Sequence, residues 1–293
     1  VNPTEPYIKV DGTIIASGAT LNPVVFTSFA DDDYGGDMNG DGVATTPAPS
    51  DWTHIEIENT SVGSSFENTL VRYAGRIKNT YEAGIVVDGT SASFDQITVE
   101  YSNKHGLYLD GSDSEVTNSI FAYNGAATVN AAGIYVDGVP GGAPLIDGNT
   151  FLENDYGLWA QSANNLTVSG NIFTDNGVSA INVSGATGSF PGNSGSGNGV
   201  NAILLSSSWT FGAATFLPNT LPYYVQQDFN VSASGTLAIA DDVVIKGHDN
   251  TASLGGRIVV KPGASITSSG ASPASIIFTS ENDDTVGGDT AGD

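Results

Sequence analysis

Short apolar runs recur along the middle of the chain at nearly constant spacing, and this spacing restricts the possible fold. Runs that open on Gly or Ala, such as Gly84-Ile85-Val86-Val87, start at residues 84, 106, 133, 157 and 180, at intervals of 22, 27, 24 and 23 residues. A second series of runs alternates with the first, and its members open on Asn118, Asn149 and Asn171. Short β-branched runs between polar corners predict strands, and a fixed period of this length predicts a solenoid.

The predicted fold is all-β: a right-handed parallel β-helix of about 10–12 coils, with two strands in each coil and a loop excursion that holds calcium. Successive coils are separated by one inter-strand spacing, ~4.8 Å, so equivalent side chains stack. The Gly-Ser-Asn tract at 187–200 is expected to form a long loop. Two ladders are expected: an internal one of Phe121, Phe151 and Phe173 beneath Val99 and Val71, and a corner one of Asn124, Asn154 and Asn176.

The end of the chain repeats its beginning. Residues 6–41 and 258–293, laid 252 positions apart without a gap, are identical at 15 of 36 positions, whereas ordinary residue usage gives about two or three. The triplet Phe26-Thr27-Ser28 recurs at Phe278-Thr279-Ser280. We therefore expect residues 1–220 to form one unit, with an acidic loop at 30–51. Residues 221–293 would begin the next tandem unit of the same continuous solenoid, in a chain excerpted from a longer protein.

The acidic loop contains the strongest chemical motif. Residues 31–42 hold five Asp and one Asn without a base, and Asp37, Asn39, Asp41 and Gly42 match the first half of a D-x-[DN]-x-[DN]-G calcium loop. Position 12 of that motif is Ala48 and not Glu, so another carboxylate is required. Hard oxygen donors favour Ca²⁺ over zinc or copper. The predicted ligands are Asp31, Asp33, Asp37, Asn39, Asp41 and Asp51.

The second copy of this loop has fewer side-chain ligands. Thr285 stands where the first copy has Asp33, and Ala291 where it has Asn39. The predicted ligands in this copy are Asp283, Asp284, Asp289 and Asp293. Residues of a following unit, or of a head-to-tail neighbour, are expected to complete this site.

The charge balance limits the partners. The chain has 8 Lys and Arg against 32 Asp and Glu, a net charge of −24. The basic residues are scattered, so neither nucleic acid nor an anionic membrane surface is an expected partner. No run approaches the ~18 apolar residues of a membrane span. The chain contains no Cys, which excludes disulfides and thiolate metal sites.

The segments around the acidic loop resemble large bacterial and archaeal surface proteins of the right-handed parallel β-helix repeat type. The likeness is sharpest from Val25-Phe26-Thr27-Ser28 through Asp41-Gly42 to Asp51-Trp52. The resemblance implies a secreted or cell-surface, calcium-stabilised and adhesin-like solenoid. We accordingly expect a non-enzymatic structural or adhesive fibre module outside the cell. Its partners would be adjacent copies of the same unit, with glycans as a further option.

The alternative is a β-helix that binds or cleaves polysaccharide, because the fold also resembles pectate lyases and polygalacturonases. Arg76-Ile77-Lys78 is similar to a sugar-binding tripeptide of the polygalacturonases, and Lys104-His105-Gly106 to an altered form of their Gly-His-Gly. Their order along the chain is reversed relative to that family. Arg76 and His105 would lie near Glu100 and Asp110 on one face, one coil apart.

Overall fold

The computed structural model describes residues 6–78, 80–125, 130–138, 143–248, 256–269 and 275–290, and within these ranges the chain forms parallel β-strands wound into coils. The first seven coils contain β1 (Ile8–Val10), β2 (Ile15–Ser17), β3 (Val24–Phe26), β4 (Ile55–Ile57), β5 (Ser64–Glu67), β6 (Thr69–Arg72), β7 (Ala83–Asp88), β8 (Ala92–Asp95), β9 (Thr98–Glu100), β10 (His105–Asp110), β11 (Glu115–Thr117), β12 (Ile120–Ala122), β13 (Ala132–Asp137), β14 (Leu145–Asp147), β15 (Thr150–Leu152), β16 (Tyr156–Gln161), β17 (Leu166–Ser169), β18 (Ile172–Thr174), β19 (Ser179–Ser184), β20 (Gly188–Ser189) and β21 (Ser194–Ser196). The remaining coils contain β22 (Ile203–Leu205), β23 (Trp209–Phe216), β24 (Tyr223–Val225), β25 (Phe229–Ile239), β26 (Val243–Gly247), β27 (Ile258–Val260), β28 (Ser265–Ser268) and β29 (Ile276–Ser280).

Three sheets run the length of the first seven coils. The first sheet has eleven strands in the order β1-β4-β7-β10-β13-β16-β19-β22-β24-β26-β29, and it continues to the end of the described chain. The second sheet (β2-β5-β8-β11-β14-β17-β20) and the third sheet (β3-β6-β9-β12-β15-β18-β21) have seven strands each. Eleven strands in the first sheet agree with the predicted 10–12 coils, and the parallel β-helix is confirmed.

Each of the first seven coils has three strands, so the prediction of two strands per coil is wrong for them. The missed strands belong to the second sheet, and they are too short to give a periodic signal. In Glu115–Thr117, for example, only Val116 points inward and is fully buried. The tract 187–200 likewise forms strands β20 and β21 of the seventh coil, and not a long loop.

The later coils are built differently. From β22 onward, strands of the first sheet alternate with those of a smaller sheet made by β23, β25, β27 and β28. The two copies of the terminal repeat therefore lie on different faces. Strand β3 of the first copy lies in the third sheet, whereas β29 of the second copy lies in the first sheet.

The interior is filled by stacked apolar side chains. The predicted aromatic ladder is confirmed: Val71, Val99, Phe121, Phe151 and Phe173 occupy one register column of the third sheet, and all are fully buried. The rings of Phe151 and Phe173 stack with centroids 4.6 Å apart. Burial of such columns is the main source of stability in a solenoid, because each coil covers its neighbours.

The predicted asparagine ladder is also confirmed at the corner between the third and first sheets. Asn124 Nδ2 donates to Asn154 Oδ1 (3.0 Å), Asn154 Nδ2 donates to Asn176 Oδ1 (3.1 Å), and Asn198 extends the series. These buried amides satisfy one another and nearby backbone carbonyls, so the polar corner is buried without unpaired groups along this column. A second ladder, from Asn149 to Asn171 and Asn193, follows the corner between the second and third sheets.

None of the described residues forms a helix with the length and hydropathy that a bilayer-spanning segment needs.

Candidate functional site

The acidic loop leaves the coils between β3 and β4 and is fixed at both of its ends. Asp31 is buried (3% exposed), accepts a hydrogen bond from the hydroxyl of Thr27 and lies 3.4 Å from the backbone N–H of Asp33. At the other end, Asp51 accepts hydrogen bonds from the hydroxyl of Ser28 and from the backbone N–H of Ala48 (2.9 Å). The two carboxylates therefore close the base of the loop.

Three other carboxylates converge at the tip of the loop. Oxygens of Asp32, Asp37 and Asp41 all lie within 4.8 Å of one another. Asp37 is held in place by the backbone N–H groups of Asp41 (3.0 Å) and Gly42 (2.9 Å). Asp32 Oδ1 and Asp41 Oδ1 are shielded from solvent and have no hydrogen-bond partner among the described residues. Shielded carboxylate oxygens without a donor are unfavourable unless a cation binds them.

The electrostatics of the cluster agree with a cation site. Partial burial raises the pKa of Asp32, and the negative charges of Asp37 and Asp41 raise it further. Hard carboxylate oxygens in a flexible loop suit Ca²⁺, whose coordination sphere accepts six to eight oxygens. The residues present therefore fit a calcium ion held by Asp32, Asp37 and Asp41, with backbone carbonyls and water as additional ligand types.

The remaining predicted ligands of the first copy lie around the cluster in other roles. Asn39 Nδ2 donates to the hydroxyl of Thr45 (2.9 Å), and Asn39 Oδ1 accepts from the backbone N–H of Asp41 (3.2 Å). Asp31 and Asp33 face the guanidinium of Arg72 at 3.7 and 3.5 Å. Asp51 is occupied at the loop base, as described above.

Sequence reasoning did not select Asp32 as a ligand, although the structure brings it to Asp37 and Asp41. The calcium-loop motif begins at Asp37 and includes only residues that follow it. Asp32 precedes the motif and reaches the cluster because the chain turns back at Gly35 and Gly36, which have positive φ (84° and 74°). A Gly-Gly pair between two acidic segments was the available signal, since this pair permits a reversal of the chain.

The second copy of the loop is closed in the same way but surrounds a lysine. Asp283 accepts hydrogen bonds from the hydroxyl of Thr279 (2.6 Å) and from the backbone N–H of Thr285 (3.1 Å). The ammonium of Lys246, which is fully buried, donates to the backbone carbonyls of Asp283 (2.9 Å) and Gly288 (2.6 Å). A side-chain cation therefore lies inside the second loop.

The negative charges around Lys246 explain why a buried lysine is tolerated at this position. Burial lowers the pKa of Lys246, while the nearby carboxylates of Asp284, Asp283 and Asp289 oppose that shift. Asp293, the last predicted ligand of this copy, lies outside the described residues.

The residues considered for catalysis are engaged in separate structural contacts. Arg76 donates to the backbone carbonyls of Ser50 (2.8 Å) and Asp51 (3.3 Å), where it secures the end of the acidic loop. Glu100 pairs with Arg72 (3.3 Å), and burial raises the pKa of Glu100 despite that pairing.

His105 is a buried structural histidine. Its Nδ1 accepts a hydrogen bond from the backbone N–H of Ala132 (3.1 Å), and its ring stacks on Tyr135 with centroids 4.6 Å apart. Burial, with a smaller contribution from Lys104, lowers the pKa of His105 to about 3. Asp110 accepts a hydrogen bond from the hydroxyl of Tyr81 (3.0 Å). A proton-transfer role for His105 near neutral pH is unfavourable in this setting.

An aromatic row lies on the outer face of the first sheet. Tyr108, Tyr135 and Trp159 occupy adjacent strands in register, and each is partly exposed. Their rings meet at steep angles: Tyr108 and Tyr135 at 60°, Tyr135 and Trp159 at 66°. Asp137 lies beside them within 3.3 Å of the Tyr135 hydroxyl. This arrangement offers both ring surface and carboxylates to a ligand.

Comparison with known protein families gives a match to the middle of the chain. Residues 53–221, which are more than half of the chain, match the family described as the right-handed β-helix region. No curated protein and no solved structure matches the chain.

Proposed function

Because the chain belongs to the right-handed β-helix family, we propose that it is a non-enzymatic structural or adhesive module whose acidic loop is stabilised by Ca²⁺. The observation that carries the proposal is the convergence of Asp32, Asp37 and Asp41, with two shielded oxygens that lack a donor. Calcium would join the two acidic arms of the loop and cancel their mutual repulsion. The module is proposed to act at the cell surface or outside the cell.

Among the described residues, those considered for catalysis are held in separate structural contacts, which supports the structural role. A glycoside hydrolase needs an acid and a base or nucleophile across one bond, whereas Arg76, Glu100 and His105 are each committed to stabilising contacts within the coils. The outward faces would then serve for assembly or adhesion.

The partners are proposed to be further copies of the same unit, in one polypeptide or head to tail. Support comes from the 252-residue offset between residues 6–41 and 258–293. The intact mass of the native polypeptide tests this point. A mass several times that of one unit indicates tandem units. A polypeptide near 30 kDa that forms filaments indicates head-to-tail assembly. A polypeptide near 30 kDa that stays monomeric under all conditions contradicts the proposal.

Thermal unfolding with and without Ca²⁺ tests the metal. Saturation at one hundred times Kd stabilises by about 2.7 kcal/mol, which raises Tm by about 4 °C for a chain of this size. EDTA should reverse the rise, and Mg²⁺ at the same concentration should produce less of it because Mg²⁺ requires a stricter octahedron. An unchanged Tm in EDTA contradicts calcium binding.

A second candidate function is polysaccharide binding, which is favoured by the outward aromatic row of Tyr108, Tyr135 and Trp159. A glycan array and a reducing-sugar assay on acidic polysaccharides separate the two functions. Binding lost in Trp159→Ala supports the second candidate. Cleavage lost in Glu100→Gln or His105→Asn would overturn the non-enzymatic proposal.

A further inference from the structure

Three tyrosines form a stacked column at the corner between the third and first sheets. Tyr73, Tyr101 and Tyr123, called here the tyrosine column, lie on successive coils and share left-handed backbone (φ 62°, 55° and 57°). The ring centroids of Tyr73 and Tyr101 are 5.4 Å apart, and those of Tyr101 and Tyr123 are 5.1 Å apart, with interplanar angles of 14° and 7°. The column therefore ends in two ring faces, one on Tyr73 and one on Tyr123.

The lower part of the column binds a guanidinium from the chain itself. The guanidinium of Arg72 lies 4.5 Å from the ring centroid of Tyr73 and 5.9 Å from that of Tyr101. It therefore lies beside the two rings and not on the end face of Tyr73, and its Nη2 donates a hydrogen bond to the Tyr73 hydroxyl (2.5 Å). Its charge is balanced by Glu100 at 3.3 Å and by two carboxylates of the acidic loop. Aromatic rings beside several carboxylates form a favourable site for a planar cation.

The upper end of the column repeats this chemistry. The coil positions above Tyr123 are taken by Glu153 and Asp175, which are exposed and have the same left-handed backbone (φ 50° and 55°). With Asp155 they surround a pocket of about 490 Å³ whose wall includes Tyr101 and Tyr123. This space is called the corner pocket below.

The charges of the corner pocket define the ligand. No Lys or Arg lines the pocket among the described residues, and no side-chain hydrogen bond or ion pair occupies Glu153 or Asp175 within the described ranges. Asp155 accepts a hydrogen bond from the backbone N–H of Ala131 (3.1 Å). Three carboxylates beside an aromatic face favour a cation over an anionic or neutral ligand.

We propose that the corner pocket, in which three carboxylates lie beside Tyr123, binds the guanidinium of an arginine side chain from a partner protein or peptide. The planar group lies against the Tyr123 ring and donates hydrogen bonds to Glu153 and Asp175. Arg fits better than Lys, because its planar fork stacks on a ring and pairs with two carboxylates at once. The net charge of −24 attracts a basic partner over longer range.

Amide chemical shifts in NMR measure this binding with acetyl-arginine amide as the probe, in saturating Ca²⁺ so that the acidic loop is the same in every sample. The expected shifts are saturable and centre on residues 123–125, 153–155 and 175–177. Acetyl-citrulline amide has the same shape without the charge and should not bind. Acetyl-lysine amide should bind more weakly than the arginine probe.

Variants of the pocket sharpen the result. Tyr123→Leu should weaken binding by about two- to fivefold through loss of the cation–π contact, whereas Tyr123→Phe should retain it. The double variant Glu153→Gln and Asp175→Asn removes only exposed carboxylates and should abolish saturable binding. Glu115→Gln is the matched control, because Glu115 is an exposed carboxylate on the second sheet, and it should leave Kd unchanged.

Three outcomes overturn the proposal: equal binding of the citrulline probe, an equal loss in Glu115→Gln, or shifts at these amides from a neutral oligosaccharide but not from the arginine probe. Because the titration is done at constant Ca²⁺, its failure does not bear on the calcium proposal, and a failure of calcium binding leaves the pocket measurement valid.

Discussion

The two acidic loops share seven of eleven residues (31–41 and 283–293) and the same local turns, yet their carboxylates have different surroundings. In both, a Thr hydroxyl bonds the Asp four residues later, Thr27 to Asp31 and Thr279 to Asp283. Both reverse direction at a Gly-Gly pair with positive φ, 84° and 74° in the first loop and 71° and 69° in the second. The first loop gathers carboxylates at its tip, whereas the second encloses the ammonium of Lys246.

The difference follows from what lies beneath each loop. The first loop extends from a corner, and most of its residues are exposed. The second lies over the outer face of the first sheet, where a Cβ on Gly287 would meet Val244 Cγ1 at 3.2 Å and Lys246 Cε at 3.4 Å. The same local turn therefore lies at an exposed corner in one copy and over a buried lysine in the other.

The largest expected effect concerns the enclosed cation. Lys246→Met keeps the length of the side chain but removes the ammonium, and it leaves the carbonyls of Asp283 and Gly288 without their donor. The free energy of unfolding should fall by about 3 kcal/mol, as measured by urea denaturation. The control Lys261→Met changes an exposed lysine and should have little effect. Equal losses in the two variants would mean that the second loop does not depend on Lys246.

The second prediction compares equivalent carboxylates of the two loops. Asp32→Asn should remove most of the calcium-dependent rise in Tm of about 4 °C, because Asp32 belongs to the cluster. Asp284→Asn, at the equivalent position of the second loop, should leave that rise intact, since Lys246 already supplies the positive charge. Differential scanning calorimetry at matched Ca²⁺ measures both. A rise that is lost equally in both variants would assign a calcium site to each loop.

The shared Thr–Asp hydrogen bond should contribute equally in the two loops. Thr27→Val and Thr279→Val each remove one hydroxyl donor, and each should lower the free energy of unfolding by about 1 kcal/mol. Urea denaturation in Ca²⁺ measures the two changes side by side. A large difference between the two losses would show that the two turns have the same geometry but that their Thr–Asp hydrogen bonds contribute unequally to stability.

The smallest expected effect is on the pH dependence of calcium binding. The pKa of Asp32 is raised, so the negative charge of Asp32 is unfavourable in the folded, metal-free protein. The free energy of unfolding of the metal-free protein therefore increases as the pH falls through the folded pKa of Asp32. The pKa of Asp283 is lowered by hydrogen bonds from Thr279 and Thr285. Asp283 therefore contributes stability above its unfolded pKa, and that stability is lost as pH falls through the lower folded value.

Calcium must displace the proton from Asp32, so Kd should rise about twofold when the pH reaches the folded pKa of Asp32. Isothermal titration calorimetry from pH 7 downward measures this change. The Asp32→Asn variant should lack this part of the pH dependence, while Asp284→Asn should keep it. An identical pH profile in all three proteins would mean that Asp32 does not bind the calcium ion.

The sequence predicted those parts of the fold in which every coil repeats the same residue type. The phenylalanine ladder and the Asn124 ladder followed from a regular spacing, because stacking brings like residues together. The second sheet was missed, since a three-residue strand such as Glu115–Thr117 has a single inward side chain and gives no periodicity. The sequence analysis assigned two strands to every coil, so it did not locate the change from three-stranded coils after β21.

For the candidate site, the sequence predicted the acidic loop and two members of its carboxylate cluster. It could not select Asp32 over Asp31, because adjacent aspartates differ only in the direction that the folded turn gives them. It also could not link Lys246 to the second loop, because the lysine lies on a strand 37 residues before Asp283.

The sequence by itself determined the solenoid, its ladders and the local conformation of both acidic loops, because these depend on repeat spacing, on hydrogen bonds between residues a few positions apart and on glycines that allow positive φ. Only the tertiary structure decided which charges meet. It set the carboxylates of Asp32 and Asp41 against each other in one loop and placed the ammonium of Lys246 inside the other. Electrostatic energy depends on distance and burial in three dimensions, and the sequence of a loop does not specify the surface on which that loop lies.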